Sequence, residues 1–271
     1  MADETITCDD LDEAIERYTR DLGFRLDMIT PADAPREALL SKGDDSIRLV
    51  KNSDLEPGTL NLEPPSESKW TVGRAGMMYR DLIPDRLGGK VIASHIRIVD
   101  GGEVADSVHY HKIDFQIIYC LKGAIRVVYE DQGEPFWLRP GDCVLQPPEI
   151  RHRVLEAEAG SEVIEITSPA EHETWFDHEM KLPTETERKD RSFGDQTFVR
   201  HIDSAGHWTP YESDQILTTN TKIPGVRMLR HASGLQNLTN FCQSTLTSLK
   251  ILIEGKGIEM SFAESALHGR S

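Results

Sequence analysis

The stretch SVHYHKIDFQIIYCLKG (107–123), resumed at RPGDCVLQPPEIRHRVLE (139–156), decides the fold. His109 and His111 stand two apart in an alternating segment, so on a strand both side chains leave the same face, about 6–7 Å apart along the chain. That spacing lets one cation bridge them, and His152 supplies a third imidazole from the second segment. Around these residues the chain runs in short alternating segments broken by Gly and Pro turns, with strands expected at 91–99, 107–111, 115–121, 124–130, 135–138, 142–146, 152–156 and 162–166. Eight such strands suffice to close a small antiparallel barrel, so the fold class is mainly β. In the segment 115–121, Gln116 and Cys120 face one way, whereas Phe115, Ile117, Tyr119 and Leu121 face the other. A strand apolar on its outer side needs a cover, either a dimer partner or another part of the chain.

This layout resembles the two motifs of the cupin superfamily, G(X)5HXH(X)3–4E(X)6G and G(X)5PXG(X)2H(X)3N. The resemblance implies a double-stranded β-helix, a jelly-roll barrel. His109 and His111 match the paired histidines, Gly123 the closing glycine, and Gly141, Pro147 and His152 the second motif. Gln116 stands where the family has a ligating Glu. Gly102 lies one residue too far from His109, Glu149 replaces a turn glycine, and Glu156 replaces the terminal Asn. By this resemblance His109, His111, His152 and Gln116 are the metal ligands, with Gln116 either coordinating weakly or standing just behind the other three. Three neutral imidazoles suit one divalent ion, Fe, Mn, Ni, Zn or Cu, with geometry and availability deciding among them. An amide oxygen in place of a carboxylate leaves the full +2 charge, which favours a bidentate anionic or enolisable substrate. His95 and Arg97 share one face of the preceding strand; they are candidates to hold a substrate carboxylate from inside the barrel, with an outward, solvated position as the alternative. His172 and His178, six apart around Trp175, read as surface residues.

Outward from the barrel, residues 5–50 read as strand, helix and three strands. Asp9 or Asp10 caps the helix, Leu11, Ala14, Ile15, Tyr18 and Leu22 recur at helical spacing, and Gly23 stops it. This βαβββ order, with LDEAIERYTRDLGFRLD (11–27), resembles one module of the vicinal oxygen chelate, or glyoxalase-like, superfamily. Such modules work in pairs, and the first strand here offers Thr5-Ile6-Thr7-Cys8 instead of a family ligand, which points to a structural or dimerising role. The resulting division is a small α+β module at 1–52, a linker at 53–75, the barrel at 76–168, a linker at 169–195 with a short helix capped by Ser168 and opened by Pro169, and a tail at 196–271. The tail has a cupin rhythm ending in SLKILIEGKGIEMSF (248–262), with Gly255 as a closing glycine, but Phe241-Cys242-Gln243 lies where the paired histidines belong and the chain ends at Ser271 before a second motif. It reads as half of a degenerate second cupin, expected to bind no metal and to pack on the first barrel or on a partner subunit.

Composition limits the function. The 271 residues carry 30 basic and 46 acidic side chains, a net charge of −16, which repels a phosphate backbone or an anionic membrane in the absence of a basic patch. The first ten residues are acidic and unlike a signal peptide, the longest apolar runs fall far short of a membrane span, and the four cysteines form no CxxC pair; a cytosolic chain with reduced thiols is expected. The expected partners are a small-molecule substrate and a second copy of the chain as a homodimer, with no nucleic acid and no membrane. Two functions remain. One is a metal-dependent cupin enzyme on a small polar organic substrate, with three-histidine dioxygenase chemistry first and isomerase, decarboxylase or lyase chemistry behind it. The other is a non-catalytic small-molecule binding or sensing cupin.

Overall fold

The computed structural model describes residues 4–52, 70–73, 76–83, 86–211, 213–223, 225–231, 241–244, 248–253 and 256–261. The chain opens with β1 (Glu4–Cys8), α1 (Leu11–Glu16), β2 (Arg25–Thr30), β3 (Glu37–Lys42) and β4 (Asp45–Lys51). Asp10 caps α1, its side chain accepting from the Glu13 N–H at 3.0 Å, and a π turn over Arg17–Asp21 leads to Gly23 at φ +73°, a left-handed turn that favours glycine. β2, β3 and β4 form an antiparallel meander, and β1 adds to β4 in parallel. Leu11, Ala14, Ile15 and Tyr18 of the helical segment close over Ala38, Leu40, Ile47 and Leu49 of this sheet.

The barrel strands follow: β5 (Thr71–Val72), β6 (Met78–Asp81), β7 (Ile92–Ile98), β8 (Gly102–Glu103), β9 (His109–His111), β10 (Phe115–Lys122), β11 (Ile125–Tyr129), β12 (Phe136–Leu138), β13 (Cys143–Gln146), β14 (His152–Ala157), β15 (Ser161–Ser168) and β16 (Thr174–Phe176). After a small hairpin of β17 (Ser192–Phe193) and β18 (Gln196–Thr197), β19 (Val199–His201) completes the second of two facing sheets. The first sheet has the order β1-β4-β3-β2-β16-β9-β14-β11-β12, with β8 on β14; the second runs β19-β13-β10-β15-β7-β6-β5. The architecture is mainly β, a jelly-roll barrel. Its inside is packed by Ile96, Cys120, Val127, Tyr129, Val144 and Val163, among others, contributed by both sheets.

Each of the eight strands expected from the alternation is present, with bounds that move by one or two residues. Two expectations in the connections are corrected. No helix lies within 169–195, all of which is described; Thr174–Phe176 is instead a strand bonded to β9 on one side and to β2 on the other. Vacant edges on both neighbours outweigh the local helix-start signal, because backbone groups buried there need partners. Within the segment read as a linker, Thr71–Val72 pairs with β6, while residues 53–69, 74 and 75 lie outside the described residues.

The cover for the apolar outer face of β10 comes from the chain itself. Strands β20 (Thr209–Tyr211), β21 (Ser213–Asn220), β22 (Val226–His231), β23 (Phe241–Ser244), β24 (Ser248–Ile253) and β25 (Lys256–Ser261) form one antiparallel sheet, in the order β20-β21-β22-β25-β24-β23. Val226, Met228, Ile258 and Met260 from this sheet join Ile117, Tyr119, Leu121, Cys143, Leu145, Ile164 and Ile166 from the barrel in one buried cluster. That face therefore requires no second subunit. Gly255, read as a closing glycine, lies outside the described residues.

Candidate metal centre

Register builds the site. β9 lies between β14 and β16, with His109 opposite His152 and His111 opposite Thr174. The three rings converge: centroids are 5.1 Å apart for His109 and His111, 4.2 Å for His109 and His152, and 5.2 Å for His111 and His152. One ligand atom from each lies within 4.8 Å of the others, and all three residues are buried.

Each ring is aimed by its other nitrogen. His109 Nδ1 donates to the Ser107 carbonyl at 2.7 Å, His152 Nδ1 to the Ile150 carbonyl at 2.9 Å, and His111 Nδ1 lies 2.8 Å from the Thr174 hydroxyl oxygen. A proton on Nδ1 leaves the lone pair on Nε2, the atom that binds a metal, so the two carbonyls select that tautomer in advance for His109 and His152. Asp106 assists: one carboxylate oxygen is 3.5 Å from His109 Nδ1 and the other accepts the Val154 N–H at 2.9 Å. Glu149, at the family's glycine position, takes the left-handed conformation with φ +59°, and its N–H donates to the His111 carbonyl at 3.0 Å. The turn geometry is kept at the cost of placing an L side chain where glycine is easier.

Gln116 is fully buried on the inner face of β10, directly across the ladder from Gln146 of β13. The Gln146 amide nitrogen donates to Gln116 Oε1 and sits 3.1 Å from His152 Nε2. The Gln116 amide nitrogen is buried with no partner. Sequence reading placed Gln116 beside the triad and missed Gln146, although Val144 and Gln146 alternate onto one face and that face is the interior. Thr174 was also missed, because its role depends on the pairing of β16, which has no local signature.

His95 and Arg97 take the outward position. On β7 they share the side of Ala93, which packs in the outer cluster, whereas Ile96 and Ile98 point into the barrel. Arg80 donates to His95 Nδ1 at 2.9 Å, His95 Nε2 donates to Glu162 at 2.7 Å, and Arg97 Nε donates to the other Glu162 oxygen at 3.1 Å. Trp70 stacks its edge on His95 and lies under the Arg97 guanidinium, 4.4 Å away. Burial lowers the His95 pKa; for Glu162 burial acts upward, but the bond from His95 and the charges of Arg97 and Lys122 outweigh it and hold the carboxyl below its ordinary range. A neutral imidazole against an ionised carboxylate is a self-contained outer cluster, and a substrate-carboxylate role inside the barrel does not fit that placement.

His172 corrects the surface reading. It is 6% exposed, its ring centroid is 5.4 Å from that of His111, and its Nδ1 bonds the Pro169 carbonyl at 3.1 Å. Six-residue spacing says nothing once the segment is a strand and a turn instead of a helix. His178 is more exposed and donates to the Leu26 carbonyl at 2.8 Å.

Thr174→Val removes the hydroxyl behind His111 while keeping shape and volume. Loss of such a supporting bond is expected to weaken divalent metal binding by about 10–100-fold. Competition against a chromogenic chelator measures this, and an unchanged affinity means that the hydroxyl does not aim the ring.

Residues 95–167 match a family model described as the cupin domain. Among solved structures the chain is similar to KdgF from a Halomonas species, at 26% identity over 38% of this chain and 89% of that one with a TM-score of 0.32. An RmlC-like cupin from Shewanella frigidimarina matches at 25% identity over 40% of this chain and 92% of that one, with a TM-score of 0.32. A variant of the Bacillus subtilis oxalate decarboxylase OxdC is 12% identical over 73% of this chain and 72% of that one, with a TM-score of 0.42. No curated protein sequence matches the chain. No helix among the described residues is long and apolar enough to cross a membrane.

Proposed function

We propose that the barrel is a metal-dependent cupin enzyme, in which His109, His111 and His152 hold one divalent ion and a small polar organic substrate is bound beside them. The observation that carries this reading is the set of three buried imidazoles with ligand atoms within 4.8 Å of one another and every Nδ1 engaged away from the centre. Iron, manganese, nickel, zinc and copper all accept such a donor set. When bound, the ion supplies Lewis acidity at its open positions.

The chain's own residues shape the rest. None of the three ligands is anionic, so an anionic, bidentate substrate meets uncompensated positive charge. The Gln116 amide nitrogen, buried and without a partner, is a donor available to a substrate oxygen once substrate enters. Ile118 and Val144 on the same inner faces keep the surroundings apolar, which strengthens that hydrogen bond. Oxygenative cleavage is the reaction class proposed first, because three histidines without a carboxylate resemble the ligand set of three-histidine cupin dioxygenases. Isomerase, decarboxylase and lyase chemistry follow.

Purification without chelator, elemental analysis, and oxygen-uptake assays with gentisate-type rings, β-diketones and thiols form the test. Stoichiometric metal with substrate-dependent oxygen uptake supports the dioxygenase reading, metal-dependent turnover without uptake moves the assignment to the non-oxidative classes, and a centre that refuses all five metals overturns it. One contact favours a second reading, a non-catalytic ligand-binding cupin: the Gln146 amide nitrogen lies 3.1 Å from His152 Nε2, where it competes with a metal for that lone pair. The amino-terminal unit is read as a glyoxalase-like module with a structural role, since β2 continues the metal-bearing sheet through β16.

Gln116→Glu tests the charge argument. A carboxylate in this dry position is expected to tighten divalent metal binding by about ten-fold or more while altering turnover. Unchanged metal affinity places Gln116 outside the electrostatic reach of the ion.

A further inference from the structure

A second cleft lies at the seam between the barrel and the tail sheet, on the far side of the second sheet from the triad. The edge strand β19 contributes Arg200 and His201, the turn after it contributes His207, and the tail contributes Thr219 and Lys222. His201 faces outward from the barrel, because it pairs with Cys143 and shares its side of β19 with Val199, and both of those residues belong to the outer cluster. Four of the eight lining residues are Arg, His or Lys and none is acidic, in a chain whose net charge is −16.

The wall carries a buried nitrogen that the protein does not satisfy. His201 is 5% exposed, and its Nε2 has no hydrogen-bond partner. Arg200, the preceding residue on the strand, projects from the opposite face, where its guanidinium donates to the Trp137 carbonyl at 3.2 Å and lies 4.0 Å from the Phe136 ring centroid. Buried polar nitrogens in native proteins almost always find a partner, so an orphan at the wall of an open cleft calls for one. Of the nearby acids, Asp142 accepts the backbone N–H groups of Arg139 and Asp203, and Asp203 accepts from Arg230 at 2.7 Å through Oδ2, while its Oδ1 is buried without a hydrogen-bond partner. Burial lowers the His201 pKa, which keeps the ring neutral and able to place its one proton on the nitrogen that faces an acceptor. Lys222 holds a left-handed backbone, φ +61°, an uncommon conformation for a lysine and one that clusters at binding sites. A Cβ at Gly206 would fall 3.0 Å from Thr219 Oγ1, so glycine lets the turn close against the tail strand.

We propose that this cleft binds a small oxyanion, the carboxylate or phosphate group of a metabolite, with His201 and Lys222 as its donors. The site is separate from the metal centre and does not depend on the reading of that centre. Its donors come from both the barrel and the tail, so occupancy holds the two together and raises the stability of the docked tail.

The experiment titrates the full chain with inorganic phosphate and, separately, with malonate at constant ionic strength in chloride, following backbone amide shifts and the thermal midpoint. Saturable shifts at 200–207 and 219–222, together with a rising midpoint, support the site; stronger binding of phosphate or of malonate names the source. Lys222→Ala and His201→Gln are each expected to weaken binding by about ten-fold, with Lys222→Arg retaining it and metal content unchanged in all three. Shifts that stay linear in concentration for both anions, or saturable binding that neither Lys222→Ala nor His201→Gln weakens, overturn the proposal.

Discussion

Replacing His109 or His111 by alanine is expected to take bound metal from about one ion per chain to less than about a tenth of that. The two histidines sit on one short strand whose neighbours fix both rings, through the Ser107 carbonyl for His109 and the Thr174 hydroxyl for His111. Remove either, and the two remaining imidazoles must hold a divalent ion against water and buffer without a carboxylate ligand. Gln116 does not fill the gap, since a neutral amide oxygen is a weak donor. The strand itself should survive, because its backbone bonds to β14 and β16 do not involve the lost side chains. Elemental analysis beside a thermal melt separates the two effects. Wild-type occupancy in either variant refutes the assignment, and a melt near wild type with the metal gone confirms that the histidines serve the centre more than the fold.

The centre was legible because its logic is local. Two-residue spacing places His109 and His111 on one face whatever the tertiary structure, and alternation within 115–121 separates Gln116 and Cys120 from Ile117 and Tyr119. Glu149 shows how far such reading goes: the sequence flags a missing glycine, and the backbone keeps the left-handed turn regardless, tied to the strand of the histidines. What failed to show in the sequence depends on which strands meet. Thr174 becomes the support of His111 only when β16 pairs with β9, and His172 becomes buried only because that strand brings residues 169–176 over the barrel. The face of β7 that carries His95 and Arg97 could not be chosen from alternation alone, since both faces hold apolar residues; Trp70, Arg80 and Glu162 decide it from distant positions.

The same strand ties the amino-terminal unit to the centre. Phe176 packs against the cluster of Leu11, Ile29 and Leu49, and its ring is 6.3 Å from that of His109, while Thr174 pairs with both Ile29 and His111. One three-residue strand thus contacts both the core of the small α+β unit and two of the three imidazoles.

Met228→Asp is expected to release the tail. Met228 is 1% exposed, on β22, in the cluster that covers Ile117, Tyr119 and Leu121. Removing a buried Met side chain down to Ala costs about 2–5 kcal/mol, and a carboxylate without a partner in that position costs several more. The chain escapes the larger penalty by undocking the six-stranded sheet, so the cost shows as local opening in place of global unfolding. Limited proteolysis should then cut between 202 and 225 in the variant under conditions that leave the wild type intact, while Met228→Leu, nearly volume-conserving, stays resistant at a cost below about 1.5 kcal/mol. Bound metal should be unchanged, because the triad lies inside the barrel and Ile117, Tyr119 and Leu121 point away from it. Equal resistance of Met228→Asp and wild type would mean that the outer face of β10 is held closed by something other than this sheet.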